Sequence, residues 1–380
     1  MLRLFGGSPR ERGFAQGFLL AEEIRDVTDA ALRSLPNMTP EKYEGRILPW
    51  ARKFDWDADA KAELDGIFEG MSARLSGEAL RLPFAGRLYS RADLDVVNVI
   101  ADYYGPACSA FTVWGKRSAG AGVLHARTLD FPVGARAVKE QIVIVSEPSG
   151  SGGNARRGWV AVGWPGLIVQ FTGMNSAGLV ACLHDGYNIH KGREIGMFYP
   201  RGLMLRRLLE TIDPAQGDPA RKAADDIASH KFACGNLFHM SWPSAAAKKN
   251  EETCSAVLEF EMASHQVEIR RMDDSGALVV TNQFFLLNKP AECGRFKRIS
   301  DGLELLQKAN RPVGMPEARK LLMSAEQFVA AHSVYFFPDK LELQIALTKE
   351  NIMSPRVAPT PFSLKELFER QPPANSSRSN

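Results

Sequence analysis

The hydrophobic pattern of this chain changes period once, and sharply, at Gly105-Pro106. Upstream, GFAQGFLLAEEIRDVTDAALRSL, AKAELDGIFEGMSARL and ADLDVVNVIADYY place apolar residues three and four apart, the spacing that lines one face of a helix. Pro36, Pro40 and Pro83 fall between these runs and separate them. Downstream the runs shorten and read as strands: SAFTVW, GVLHARTL, QIVIVSE, GWVAVGW, IVQFTGM and GLVACLH. A chain that is helical to about Tyr104 and sheet-forming from Cys108 has to pack its first helices against a sheet that begins at that cysteine.

The rest of the pattern extends this layering. Asn175-Ser176-Ala177-Gly178 suits a tight turn between the last two of those strands. Helical periodicity returns at GLMLRRLLETI and ARKAADDIASH, followed by strands at SAVLEFEM, QVEIRR and ALVVTN. Helices are expected at RFKRISDGLELLQKA and PEARKLLMSAEQFV, then strands at HSVYFF and LELQIAL. From Pro355 the chain is proline-rich, and Gln371 to Asn380 has the polar composition of a disordered tail. Strands and helices in this order suit two sheets packed together with helices outside, although periodicity alone also admits other α+β arrangements.

At 380 residues the chain can bury a large core, as one domain or two. A net charge of +3 and the lack of any basic run with interleaved aromatics argue against nucleic acid and point to small-molecule partners. The five cysteines form no CxxC pair, which disfavours a disulfide framework and a structural zinc site. MLRLFGGSPRERGF lacks a signal-peptide apolar run, and no segment reaches the roughly 20 apolar residues that span a bilayer. The expectation is a cytoplasmic protein without a membrane span, export being left open because a removed signal would leave the same sequence.

GxSxG, GxxxxGK[ST], HExxH and calcium-loop patterns are all missing, and GSPRERG and GSGGN read as ordinary loops. Cys108 stands where the sheet-like region begins, directly after a turn, and is the candidate nucleophile; a packed core cysteine is the plain alternative. Arg127 and Asp130 return to it if a hairpin through Gly115 to Gly122 folds the chain back. A guanidinium beside the sulfur favours thiolate, and a carboxylate can hold an ammonium or amine. An Arg-Asp surface pair of little consequence is the other reading.

The run CSAFTVWGKRSAGAGVLHARTLDF, with MNSAGL and later VVTNQF, resembles the N-terminal-nucleophile superfamily of isopenicillin N acyltransferase, penicillin V acylase, bile-salt hydrolase and acid ceramidase. The nearest likeness is to the isopenicillin N acyltransferase branch, which the opening GSPRERGFAQG and the closing LELQIALTKENIMSPRVAPTPFSLKELF also resemble. This resemblance implies a four-layer αββα sandwich with a helical N-terminal segment. Residues 1–107 would be a propeptide or small subunit, 108–370 the catalytic domain and 371–380 the tail. It implies Cys108 as nucleophile, Arg127 as its electrostatic partner and Asp130 as the residue that binds the liberated α-amino group. Asn175 and Asn282 match the oxyanion positions, and Arg295 matches a supporting arginine ahead of its neighbour Arg298.

Two departures stand out: Gln283 follows Asn282 where relatives carry histidine or an aromatic, and the interval from Cys108 to Arg127 is lengthened around Lys116 to Ala121. The implied activity is that of a self-processing amidase or acyltransferase on small acyl amides or acyl thioesters. It needs no cofactor and no metal, and it keeps its own N-terminal fragment as a partner. Because an α-amino group titrates at about 7.7 to 8, the new terminus can serve as the base without a histidine. Trp114, Phe131, Trp164, Phe171 and Tyr187 could line an acyl pocket or simply pack in the core. Competing readings are a histidine-assisted thiol hydrolase, pairing Cys182 with His184 or Cys234 with His239, and a non-catalytic binding module. His125 and His184 are expected to be structural.

Overall fold

The computed structural model describes residues 1–120, 122–132, 134–147, 156–187, 196–249, 253–262, 264–271, 276–287, 293–327, 330–349 and 352–369. After the short strand β1 (Leu2–Leu4) come α1 (Pro9–Leu19), α2 (Ala21–Ser34), the single turns α3 (Pro40–Lys42) and α4 (Leu48–Ala51), and α5 (Ala58–Arg74). A two-stranded ribbon, β2 (Arg81–Leu82) and β3 (Arg87–Leu88), leads to α6 (Arg91–Tyr104). Ser8 and Ser90 open α1 and α6 with capping boxes, in which Glu11 and Asp93 each accept the cap's own amide N–H at 2.7 Å. GSPRERG, read as a loop, is therefore in part a helix start.

Helices α1 and α5 lie backbone to backbone. A Cβ at Gly17 would stand 2.0 Å from the Ile67 carbonyl oxygen, and one at Gly66 would stand 2.1 Å from that of Arg10. No side chain fits there, so Gly17→Ala is expected to push the helices apart and cost about 1–3 kcal/mol, the usual range for overpacking. A thermal melt checks it, and an unchanged midpoint would mean that the two helices do not need this approach.

α6 stops at Gly105, whose φ of +63° glycine adopts without strain, and Pro106 turns the chain into β4 (Ala107–Val113). There follow β5 (Leu124–Asp130), α7 (Gly134–Lys139), β6 (Ile142–Ser146), β7 (Trp159–Gly163), β8 (Thr172–Asn175), β9 (Val180–Gly186), α8 (Arg201–Thr211) and α9 (Pro219–Ala228). Next are β10 (Gly235–Ser241), α10 (Ser244–Lys249), β11 (Ser255–Phe260), β12 (Val267–Arg270), β13 (Ala277–Val280), α11 (Gly294–Lys308) and α12 (Met315–Ser324). The described chain closes with β14 (Ala330–Phe337), β15 (Glu342–Leu347), β16 (Thr360–Ser363) and α13 (Leu364–Glu369).

The strands form an eight-stranded sheet, β1-β6-β7-β8-β9-β10-β11-β12, and a six-stranded sheet, β13-β4-β5-β14-β15-β16. α8 rests on β8 and β9, and α9 on β11 and β12, while α11 and α12 cover β13, β4 and β5. Side-chain alternation fills the layers. Val180 and Cys182 meet Val334 and Phe336 between the sheets, and Phe111 and Val113 meet Ile299 and Leu303 on the helical side. The result is the four-layer αββα sandwich.

The helical segment is built into this core: Ile24, Tyr43, Leu64 and Ile67 pack in one cluster with Leu183, Leu205 and Leu208. Buried polar ties cross the same boundary. Arg206 pairs with Glu63 at 2.8 Å, Asn98 donates to the Gly166 carbonyl at 3.0 Å, and Arg201 donates to that of Ala101.

Some elements depart from the periodicity. The spacing does not single out β10, because its polar residues are as buried as its apolar ones and no alternation survives. IVQFTGM is a strand only from Thr172, since the amides of Ile168 and Gln170 go to the Asn98 side chain and the Gly202 carbonyl instead of a ladder. The proline-rich end still supplies β16 and α13. GSGGN and Gln371 to Asn380 lie outside the described residues. Among the described residues no helix is long and apolar enough to cross a membrane.

Candidate active site

Cys108 is the second residue of β4, and the antiparallel register sets Ala107 against Asp130 and Ala110 against Arg127. The hairpin thus delivers both charged residues to the cysteine, and alternation sends them to opposite faces of β5. Between the sheets, Arg127 Nη2 donates to Cys108 Sγ at 3.0 Å and to the Leu183 carbonyl at 3.1 Å. Its Nη1 donates to the Phe171 carbonyl and to Thr172 Oγ1. Burial pushes the Cys108 thiol up, Arg127 pulls it down, and Asp130 opposes Arg127.

The main chain of the cysteine is held as firmly as its sulfur. Its amide N–H donates to Asn282 Oδ1 at 2.9 Å, and Arg295 donates to its carbonyl oxygen, to Ser109 Oγ at 3.2 Å and to Asn282 Oδ1 at 2.8 Å. The Asn282 amide donates to the Asp185 carbonyl at 2.8 Å and to that of Pro106 at 3.3 Å. Asp130 is 1% exposed, and neither carboxyl oxygen has a hydrogen-bond partner, Arg295 Nη1 lying 3.8 Å away. Burial pushes this carboxyl up to about 7, against the pull of Arg295 and Arg127.

Of the six residues the sequence singled out, five converge here and Asn175 does not. Its side chain is spent on the β8–β9 turn, accepting from the amides of Ala177 and Leu179 and donating to the carbonyls of Leu209 and Ile212. It lies three residue steps along β8 from Thr172, about 10 Å. An asparagine in a tight turn commonly serves its own backbone in this way, so any oxyanion contribution from this position would come from a main-chain N–H near Asn175 and not from its side chain. Of the two neighbouring arginines, Arg295 reaches the cysteine, whereas Arg298 donates to the Ser324 carbonyl.

Phe131, Trp164 and Phe171 line an apolar cavity together with Val27, Ala31 and Ile100. Tyr187 is instead 58% exposed, and Trp114 lies at the far end of β4 from Cys108. Cys182 and His184 sit two apart on one face of β9, yet no hydrogen bond joins them. His239 bonds Thr112 and Ser255, while Cys234 leans on Asn236. All four are fully buried. Among the described residues no group of three or more histidine, cysteine or acidic side chains is arranged to hold a metal.

Sequence reasoning missed the carbonyls of Leu183, Asp185 and Pro106, and with them Thr172 and His332. Main-chain acceptors leave no residue-type signal, and Thr172 in a strand reads as ordinary β propensity.

No protein-family model matches the chain. Protein dcd1A of Dictyostelium discoideum is 26% identical over 233 residues, covering 55% of this chain and 50% of that protein. The chain therefore spans about half the length of the curated relative it matches. Among solved structures, a Caenorhabditis elegans N-acylethanolamine-hydrolyzing acid amidase ortholog has a TM-score of 0.45 at 13% identity, covering 61% of this chain and 93% of its own. A mutant of conjugated bile acid hydrolase from Clostridium perfringens has 0.44 at 11%, covering 70% and 95%. Penicillin V acylase from Agrobacterium tumefaciens has 0.43 at 16%, covering 69% and 87%.

Proposed function

We propose that this chain is a self-processing amide hydrolase whose nucleophile is Cys108. The observation that carries the reading is a buried thiol bonded by a guanidinium at the second residue of an inner strand, beside an equally buried carboxyl with no hydrogen-bond partner. A buried carboxyl that accepts no hydrogen bond asks for a donor. An α-amino group at Cys108, next to the residue paired with Asp130, is a partner of the right charge and place.

Processing follows from the same atoms. Cys108 Sγ attacks the Ala107 carbonyl carbon, the Ala107–Cys108 C–N bond breaks, and the acyl group moves to sulfur while nitrogen takes the thiol proton. Water then hydrolyses the thioester, leaving a carboxylate on Ala107 and a free thiol and amine on Cys108. In the mature enzyme that amine takes the thiol proton, the thiolate attacks a substrate amide, and the amine returns the proton to the leaving nitrogen. Water releases the acyl group; an amine or thiol acceptor in its place would make the enzyme an acyltransferase.

Residues 1–107 would remain as a separate chain, held by the shared core and by the Arg206–Glu63 and Asn98–Gly166 ties. The apolar cavity lined by Phe131, which follows Asp130, by Trp164 and by Phe171, whose carbonyl accepts from Arg127, suits the apolar acyl part of a small-molecule acyl amide. Cys108 is fully buried in the uncut chain, so substrate turnover has to wait for cleavage.

Intact mass and N-terminal sequencing of wild type and Cys108→Ala test this directly. The wild type is expected as two fragments, the larger beginning at Cys108, and the variant as one chain of 41.9 kDa. A folded wild type that stays whole would remove the amine base and with it the mechanism.

A further inference from the structure

We propose that Thr172 and His332 are positioning residues for the Cys108 thiol, acting through the Arg127 guanidinium. This deepens the reading of Cys108 as the reacting thiol and rests on it.

A guanidinium is a rigid planar fork, so fixing one arm aims the other. Arg127 Nη2 meets Cys108 Sγ at 3.0 Å, while Nη1 meets the Phe171 carbonyl and Thr172 Oγ1. Arginine only donates, so Thr172 Oγ1 accepts from it and its own hydroxyl hydrogen is left to give away. His332 Nε2 lies 3.1 Å from that oxygen, and His332 Nδ1 lies 2.8 Å from Gln141 Oε1.

The far end of this chain sets its direction. Gln141 Nε2 donates to the carbonyls of Val138 and Ala331 at 2.9 and 3.0 Å, and both can only accept. The amide orientation is thereby determined, its Oε1 faces His332, and Nδ1 has to carry the hydrogen. Nε2 is then the acceptor for Thr172. Donation runs one way: Arg127 to Thr172, Thr172 to His332, His332 to Gln141, Gln141 to backbone.

Arg127, Thr172 and His332 are fully buried, and they come from β5, β8 and β14, so both sheets hold the fork in place. Burial and the charge of Arg127 keep His332 neutral, the state the relay requires. The Trp164 ring, 6.2 Å away, packs beside it. Around the thiol itself stand Arg127 and Asp130 of β5, Arg295 of α11, Cys182 of β9 and Tyr187 just after it. Without the Thr172 hydroxyl the fork is fixed only by the Phe171 carbonyl at Nη1 and the Leu183 carbonyl at Nη2, and Nη2 is free to turn toward Leu183 and off the sulfur.

The test is the thiolate ultraviolet absorbance of the full chain as expressed, followed against pH, each variant being compared with its own Cys108→Ala counterpart. Thr172→Val is expected to raise the Cys108 midpoint by about one pH unit, roughly tenfold less thiolate at a given pH below it. Thr172→Ser restores the wild-type midpoint, and His332→Phe behaves as Thr172→Val, so either variant can carry the test if the other does not fold. A folded Thr172→Val or His332→Phe with the wild-type midpoint overturns the relay. Intact mass of the same wild-type sample keeps the two ideas apart. An uncut wild type with the shift present refutes self-processing and supports the relay, whereas a cut wild type without the shift refutes the relay alone.

Discussion

Asn282→Leu is expected to lower turnover by about 10²–10³-fold, the loss that follows removal of one preorganised oxyanion donor. In the uncut chain the Asn282 amide has two acceptors, the carbonyls of Asp185 and Pro106. Pro106 belongs to the fragment that the proposed cleavage would separate from Cys108. The Asp185 contact remains as an anchor, and the N–H turned toward Pro106 is left facing the space where a substrate carbonyl would bind. Leucine removes that donor and also strands the Cys108 amide N–H, which costs about 1–3 kcal/mol of stability. Asn282→Asp separates the two effects, because its carboxylate still accepts from Cys108 and Arg295 and only the donor is lost. Hydrolysis of whichever acyl amide the wild type turns over is the measurement. Wild-type rates in both variants would remove Asn282 from the chemistry.

The second large effect is on stability and depends on pH. The Asp130 carboxyl titrates at 3.8 in the ordinary case and at about 7 when buried in the uncut fold. Between those values the folded chain holds a proton that the unfolded chain has lost. The associated stability is complete below the lower value and disappears as pH rises through the upper one. Asparagine carries no charge to bury. In a Cys108→Ala background, which keeps the chain whole, Asp130→Asn is therefore expected to be the more stable protein at about pH 8, by on the order of 4 kcal/mol, and equal to its parent at about pH 4.

Denaturant unfolding at the two pH values checks this, and a variant less stable at the higher one would show the carboxylate to be satisfied already. With Cys108 intact the same substitution is expected to abolish turnover, since nothing then holds the new ammonium. Opposite signs for stability and activity are what the proposed role of Asp130 requires of a buried carboxyl kept at a cost to stability.

Much of the architecture was legible because local chemistry wrote it. The shift from three- and four-residue spacing to short apolar runs marked the helix-to-sheet boundary, and the interval from Cys108 to Arg127 and Asp130 needed only a hairpin to bring them together. Where residues answer to distant partners, the pattern failed. Every β10 side chain is buried whether polar or not, and Ile168 to Gln170 spend amides on Asn98 and Gly202 instead of a neighbouring strand. The Asn175 side chain makes four hydrogen bonds, all to backbone, and residue type alone does not reveal such partners.

Local patterning was enough to mark the helix-to-sheet boundary and to place the cysteine where the sheet begins, because periodicity and turn residues act over a few neighbours; the four-layer order came only with the family resemblance. The family resemblance, and not the patterning, narrowed the expected supporting arginine to Arg295 or Arg298. Three-dimensional packing was needed to show which arginine reaches the cysteine, that Asp130 is buried without a hydrogen-bond partner, and that Arg127 is aimed from behind by Thr172 and His332. Those facts depend on packing that brings Thr172 to His332 between the two sheets, 160 positions apart, and Arg295 of α11 to Cys108, 187 apart, and on main-chain carbonyls that carry no residue identity at all.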